Sequence, residues 1–150
     1  MKDTVNFRQL INLTLDSDNK TDVKIPLEIP CHSYAIGIMH DYCIGELLGT
    51  TVDSSTSDFE FLEILSKELR LIGLRLIDVN YSEISDLILK KRVIQITRMD
   101  TPCRDYHFYL FHRNGTFSHK YRYSEPLYSS KLELNRCEYS LGIYSVERAL

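Results

Sequence analysis

Residues 105–120 read Asp105-Tyr-His-Phe-Tyr-Leu-Phe-His-Arg-Asn-Gly-Thr-Phe-Ser-His-Lys120. The aromatic-rich run 106–112 predicts one β-strand, and the run 116–123 predicts a second. The pair Asn114-Gly115 between them is a strong turn signal. The stretch is therefore predicted to be a β-hairpin that carries three histidines.

The length of the turn decides where two of the histidines point. A two-residue Asn-Gly loop places Leu110 opposite His119, and His107 then lies on the other face of the sheet from His119. A three-residue loop, a type I turn closed by Gly115 in the left-handed conformation, places Tyr109 opposite His119. The Cβ atoms of His107 and His119 are then roughly 5–8 Å apart on one face. Both registers are permitted, and we favour the second.

Length and charge limit the classes of function. The chain has 150 residues and a formal net charge of −3, so we expect a single domain over residues 1–150. Within it, residues 1–29 form an N-terminal extension that either pairs as a hairpin or wraps the core. Basic residues cluster only at Lys90-Lys91-Arg92, which is too few for a phosphate-binding face, so we expect no nucleic-acid partner.

No apolar stretch approaches the ~20 residues that span a bilayer, and the N-terminus lacks the apolar run of a secretory signal. We expect no membrane partner, and a protein that is cytoplasmic or secreted without a cleaved signal peptide. The spacing of the four cysteines is irregular, which favours free thiols over a disulfide framework. They are Cys31, Cys43, Cys103 and Cys137.

A helix is predicted from Cys31 to about Met39, because Tyr34, Ala35 and Ile38 recur at helical spacing. Pro30 suits the first turn of a helix, where its missing N–H costs nothing. Cys31 is therefore predicted at a helix N-terminus.

A second helix is the clearest in the sequence, with a cap at Ser57 or Asp58 and a stop at Gly73. Its predicted apolar face comprises Phe59, Leu62, Leu65, Leu69 and Ile72. The polar run 49–57 before it is predicted to be an exposed loop and a candidate for part of a cleft rim. A short helix near residues 82–89, a strand at 92–97, a loop at 100–104 and strands at 132–134 and 143–146 complete an α+β pattern.

The run Pro30-Cys31-His32-Ser33-Tyr34-Ala35, followed by the hairpin with its Asp-Tyr-His-Phe-Tyr and Ser-His-Lys segments, resembles a group of bacterial proteins with a cysteine at a helix start. That group is similar to papain-like cysteine peptidases, in particular the compact branch that includes cell-wall endopeptidases. The resemblance covers roughly residues 30–122, with a weaker echo at 139–146. Two positions depart from it, namely Pro30, where Asn is more common, and Tyr121, where Pro-Gly often follows the lysine.

The resemblance implies a papain-like fold with N-terminal helices packed on an antiparallel sheet. It also implies a catalytic triad of Cys31 as nucleophile, His107 as base and His119 as the residue that orients the base. Elementary chemistry supports these roles, because a helix N-terminus and a neighbouring imidazolium lower the pKa of a thiol. We therefore expect a Cys31 thiolate at neutral pH, with the Cys31 N–H as the first oxyanion donor.

Each of these residues also has a structural interpretation. Cys31 can be a small buried packing residue, and His107 and His119 can be core and surface histidines. His32 is a poor alternative base, because adjacent residues on a helix point about 100° apart. His112 lies on the other face of the hairpin in either register, so zinc binding by Cys103, His107 and His112 is not expected.

The sequence thus predicts a cysteine peptidase or amidohydrolase that cleaves an amide of a peptide or protein substrate through an acyl-thioester. No metal or cofactor is expected. A glutamine deamidase acting on a host protein as a bacterial effector would use the same residues. A non-catalytic protein-binding module of the same fold is the alternative from a different class.

Overall fold

The computed structural model describes residues 6–13, 25–100 and 105–149. Its helices are α1 (Cys31–Ile36), α2 (Asp58–Leu71) and α3 (Ile84–Leu87), with 3₁₀ turns at Phe7–Leu10 and Tyr81–Glu83. Its strands are β1 (Leu74–Asp78), β2 (Arg92–Met99), β3 (Tyr106–Phe111), β4 (Phe117–His119), β5 (Leu127–Ser129) and β6 (Glu138–Arg148). The strands form one six-stranded sheet in the order β1-β6-β2-β3-β4-β5, with every pair antiparallel. The predicted α+β class and antiparallel sheet are confirmed.

The register of the β3–β4 hairpin is the three-residue-loop register. Leu110 pairs with Ser118 and Phe111 with Phe117, and the His112 N–H donates to the Thr116 carbonyl at 2.9 Å. Gly115 closes the loop with φ +86°, a conformation that favours glycine. This register sets the faces of all the hairpin side chains.

Helices α1 and α2 cover one face of the sheet, which we call the core face. Alternate strand residues such as Ile94, Ile96, Phe108 and Leu110 point into it, as the two-residue period of a strand requires. Val93, Thr97, His107 and Tyr109 occupy the intervening positions and so point to the opposite face.

Two buried side chains of the sheet, and a third just after β4, fix the six-residue helix α1. The Arg92 guanidinium caps its C-terminal end by donating to the carbonyls of Ala35 at 2.7 Å and Tyr34 at 2.9 Å. The Tyr34 hydroxyl lies 2.6 Å from Ser118 Oγ. Lys120 anchors the segment before α1, as described next. So short a helix would not persist alone, and these contacts hold it on the sheet.

Lys120 is fully buried and its ammonium group joins the hairpin to the chain that leads into α1. Nζ donates to the carbonyls of Leu27 at 2.6 Å, Ile29 at 2.7 Å and Tyr121 at 3.1 Å. All three protons of the ammonium are thereby used. The N-terminus of α1 is therefore held to the end of β4.

The structure differs from the predicted helices at two points. Helix α1 ends at Ile36, not at Met39, because Gly37 adopts a left-handed conformation with φ +102°. Phe59 was assigned to the apolar face of α2 but is 76% exposed. Leu65 and Leu69 are buried as predicted, and Phe61 and Glu68 are buried without having been predicted. The predicted Ser57 cap is confirmed by its side chain, which accepts from the Glu60 N–H at 3.1 Å.

The strand predictions are partly wrong. Residues 132–134 form no strand, and β4 stops at His119 because Lys120 turns inward and a turn follows at 121–124. Strands β1 and β5 were not predicted. The predicted loop at 100–104 lies largely outside the described residues, as does Cys103 within it. At the N-terminus, Phe7, Ile11 and Ile29 are buried in the core cluster, so the described part of the extension wraps the core.

Replacement of Lys120 by methionine should lower the free energy of unfolding by about 3 kcal/mol, because buried carbonyls lose their donor. Urea denaturation followed by circular dichroism measures this change. Lys91→Met is the matched control, since Lys91 is 44% exposed in its ion pair with Glu147 and should cost less than about 1 kcal/mol. Equal losses in the two variants would contradict the anchoring role of Lys120.

Candidate active site

A cleft of about 640 Å³ opens beside the N-terminus of α1. Cys31 and His107 both line it, together with Tyr109 and Glu138 on the sheet and Tyr121 and Arg122 just after β4. Val52 also lines the cleft, so one residue of the exposed loop 49–57 does reach the rim. The structure therefore brings two of the three predicted site residues to one cavity, and the third contacts one of them.

The third residue, His119, is bonded to His107. Nε2 of His107 lies 2.7 Å from Nδ1 of His119, and the two rings are nearly perpendicular, at 84°. Tyr121 stacks on His107 with ring centroids 5.1 Å apart, and Tyr109 stacks on His119 at 5.2 Å. The aromatic rings restrict the rotation of both imidazoles, so the hydrogen bond has a fixed geometry.

This bond determines which nitrogen of His107 is available to a reacting group. With Nε2 directed to His119, Nδ1 of His107 has no hydrogen-bond partner in the ranges that the structure describes. A base at Nδ1 requires the Nε2–H tautomer, which donates to Nδ1 of His119. His119 is then an acceptor, and it can stabilise a proton gained by His107.

Glu138 completes the polar environment of the imidazole pair. Its Oε2 accepts from the Tyr109 hydroxyl at 2.7 Å and from Thr97 Oγ1 at 2.5 Å, and its Oε1 accepts from the Asn135 N–H at 3.0 Å. These donors hold the pKa of Glu138 below its usual value despite burial. A negative charge is therefore fixed near His107, on the sheet face opposite α1 and α2.

Cys31 lies at the edge of strand β3 and not over either face of the sheet. Strand β4 pairs only with Leu110 and Phe111, so the β4-facing edge of β3 is left open around His107. The Cys31 thiol is 4.0 Å from the Tyr106 carbonyl at this edge, and the Phe108 N–H lies close enough to lower the pKa of the thiol. The sulfur thus lies beside the β3 backbone next to His107.

The predicted thiolate is wrong for this conformation. Burial raises the pKa of Cys31 to about 11, outweighing hydrogen bonds from the backbone N–H groups of Phe108, His32 and Cys31 and the charge of Arg122. Burial, together with His119, lowers the pKa of His107 to about 4. At pH 7 the two groups are therefore a neutral thiol and a neutral imidazole, not an ion pair.

The remaining candidates have other partners. Nε2 of His32 donates to the Tyr42 carbonyl, and burial lowers the pKa of His32 to about 4, which leaves it poorly placed as a base. His112 is buried with Nε2 2.6 Å from Ser118 Oγ, confirming its assignment to the other face. Cys43 and Cys137 are free thiols that do not line the cleft.

Sequence reasoning missed Glu138, Tyr109 and Arg122 as site residues. Arg122 lines the cleft in an ion pair with Asp41 at 2.7 Å, and its charge lowers the pKa of the thiol. Tyr109 could have been identified from the sequence, because the favoured register placed it opposite His119. Glu138 was not, because the pairing of β6 with β2 has no local sequence signal.

No protein-family model, curated protein or solved structure matches this chain. In the ranges that the structure describes, no helix has the length and apolar character needed to cross a bilayer. The roles of Cys31, His107 and His119 stay predictions that rest on the geometry of the cleft.

Alkylation of Cys31 by iodoacetamide should be slow at pH 7 and rise about tenfold per pH unit, because only the thiolate reacts and its pKa is near 11. The rate is measured by mass spectrometry of the labelled peptide in a Cys43→Ser/Cys103→Ser/Cys137→Ser background. A rate that levels off below pH 8 would show a thiolate at neutral pH and contradict the neutral state described above.

Proposed function

We propose that this chain is a thiol hydrolase that cleaves an amide bond of a peptide or protein through an acyl-thioester on Cys31. One observation carries the proposal. The Cys31 sulfur lies 4.0 Å from the Tyr106 carbonyl, next to His107 in β3, and His119 is bonded to the His107 nitrogen that the reaction does not use. Cys31 as nucleophile and His107 as base would thus share one cleft, with His119 orienting the base.

The attack is a general-base step, because the thiol is neutral before it. The Cys31 proton moves to Nδ1 of His107 as the sulfur bonds to the substrate carbonyl carbon, and the carbonyl oxygen becomes an oxyanion. The backbone N–H of Cys31 is the first donor for this oxyanion. His119 accepts the Nε2–H bond of the new imidazolium, and Glu138 stabilises its charge through space.

Breakdown of the intermediate returns the proton. The C–N bond breaks as Nδ1–H of His107 protonates the leaving nitrogen, and the acyl group stays on Cys31 as a thioester. A water molecule then attacks the thioester while His107 takes one of its protons, and the thiol and a carboxylic acid are released. Release of an amine corresponds to peptide hydrolysis, and release of ammonia to glutamine deamidation.

The arrangement supports a papain-like relationship as part of the same proposal. The cysteine opens a helix, the base follows on a sheet strand, and the orienting residue lies on the next strand. This is the chain order that papain-like enzymes use. The difference is that the His107 ring points to the face opposite α1, so the thiol meets the base around the open edge of β3.

A non-catalytic binding module is the second candidate, and the state of Cys31 favours it. The thiol is partly buried, has a raised pKa and donates to the Tyr106 carbonyl, as a structural cysteine would. In that case the cleft binds a peptide and the two histidines only shape its floor.

Acylation of Cys31 by p-nitrophenyl acetate separates the two candidates. The proposal predicts an acetyl group on Cys31 by intact mass, formed about 10²–10⁴-fold more slowly in His107→Ala. The wild-type rate should rise with pH through about 4 and then level off, because His107 acts in its neutral form and its pKa is about 4.

His40→Ala is the control, because His40 lies outside the cleft, packed against Phe7. Its acylation rate should equal that of the wild type. Equal rates in wild type and His107→Ala, or no acylation of Cys31, would reject the hydrolase and favour the binding module. Ammonia assays on glutamine peptides then distinguish a deamidase from a peptidase.

A further inference from the structure

A second depression of about 840 Å³ lies on the sheet face opposite α1 and α2. Its floor is the cross-strand pair Phe111 and Phe117, whose rings are 4.9 Å apart. Apolar side chains of α3 and its C-cap form one wall, and the segment 130–134 forms the other. We call it the apolar groove; its apolar residues include Ile84, Ile88, Phe111, Phe117, Leu132 and Leu134.

The groove adjoins the cleft that Cys31 and His107 line at two places. Gln95 of the groove pairs in the β2–β3 ladder with Tyr109 of the cleft. Leu134 of the groove immediately precedes Asn135 of the cleft. A chain bound in the cleft can therefore continue into the groove along the opposite face of the sheet.

One polar group in the groove is suited to a peptide backbone. Gln95 is only 8% exposed, and one end of its amide is bonded to Ser140 Oγ at 2.9 Å. The other end has no hydrogen-bond partner within the described ranges. The unused end is the amide oxygen Oε1, which can accept a hydrogen bond from a backbone N–H of an occupant.

The charge of the groove selects the kind of occupant. Lys131 is the one Lys, Arg, Asp or Glu side chain in the described lining, and it is 83% exposed next to Glu133. The groove therefore favours an uncharged apolar segment over a charged one. A volume of about 840 Å³ accommodates a few apolar side chains.

We propose that the apolar groove binds an apolar segment of the substrate chain about four residues from the reacting amide. The spacing follows from β3, because His107 and Phe111 are four residues apart, or roughly 13 Å along the strand. An extended substrate covers this distance with about four residues. The inference rests on the proposed hydrolase and makes its substrate a peptide or protein segment, not a small amide.

A peptide library prepared from a digested proteome tests the proposal without a known substrate. Products of wild-type turnover, identified by mass spectrometry, should be enriched in Leu, Ile or Phe three to five residues from the reacting amide, on one side of it. Tyr81 and Leu132 both line the groove, and Tyr81→Glu or Leu132→Glu should slow turnover of such peptides about tenfold. Acylation by p-nitrophenyl acetate, which does not reach the groove, should be unchanged.

Leu89→Glu is the matched control, because Leu89 is 51% exposed and lies outside the groove lining; its turnover should equal that of the wild type. Turnover without apolar enrichment, or groove variants that behave like the control, would overturn the groove proposal and leave the hydrolase standing. Acylation of Cys31 without turnover of any peptide would also overturn it. Absence of acylation would instead mean that the hydrolase itself has failed, and the groove proposal with it.

Discussion

The register of the β3–β4 hairpin is the constraint on which both the fold and the site depend. Three consecutive residues at the end of β4 make contacts with three different parts of the chain. Ser118 bonds Tyr34 on α1, and His119 bonds His107 on β3. Lys120 donates to the carbonyls of the segment before Cys31. A slip of one residue would move Ser118 and Lys120 to the opposite face and separate the histidines. The three-residue loop closed by Gly115 excludes that slip. The contacts that hold α1 on the sheet are therefore the contacts that place Cys31 at the edge of β3, in the cleft that His107 also lines.

Burial leaves Lys120 charged but favours the neutral forms of Cys31 and His107. The ammonium of Lys120 tolerates full burial because three carbonyls replace its hydration. Cys31 and His107 have no comparable compensation for a charge, so burial favours their neutral forms. In the reaction proposed above, the thiol is therefore neutral at rest, and His107 would receive its proton during attack. Substrate binding in the cleft, and in the groove beyond it, would position the carbonyl for that step.

The hairpin, its register and the position of Cys31 at a helix start could be predicted because each depends on a few neighbouring residues. The burial of Glu68 in α2 could not, since its carboxylate accepts from Tyr42, Gly45 and Leu48, which are distant in the sequence. Strands β1 and β5 are edge strands, whose pairing with β6 and β4 is set by the assembled sheet. The charge state of Cys31 was predicted wrongly, because a helix N-terminus was weighed and burial at the edge of β3 was not. The position of Glu138 in the cleft likewise depends on the long-range pairing of β6 with β2.

¹⁵N NMR of the histidine side chains at pH 7, before and after alkylation of Cys31, tests whether His107 faces the thiol as a base. We expect His107 and His119 both to be neutral, His107 to carry its proton on Nε2, and its unprotonated Nδ1 resonance to shift when Cys31 is alkylated. A proton on Nδ1 of His107, or a resonance that does not respond to alkylation, would show that His107 does not face the thiol as a base. The paired histidines would then be a structural feature of the hairpin alone.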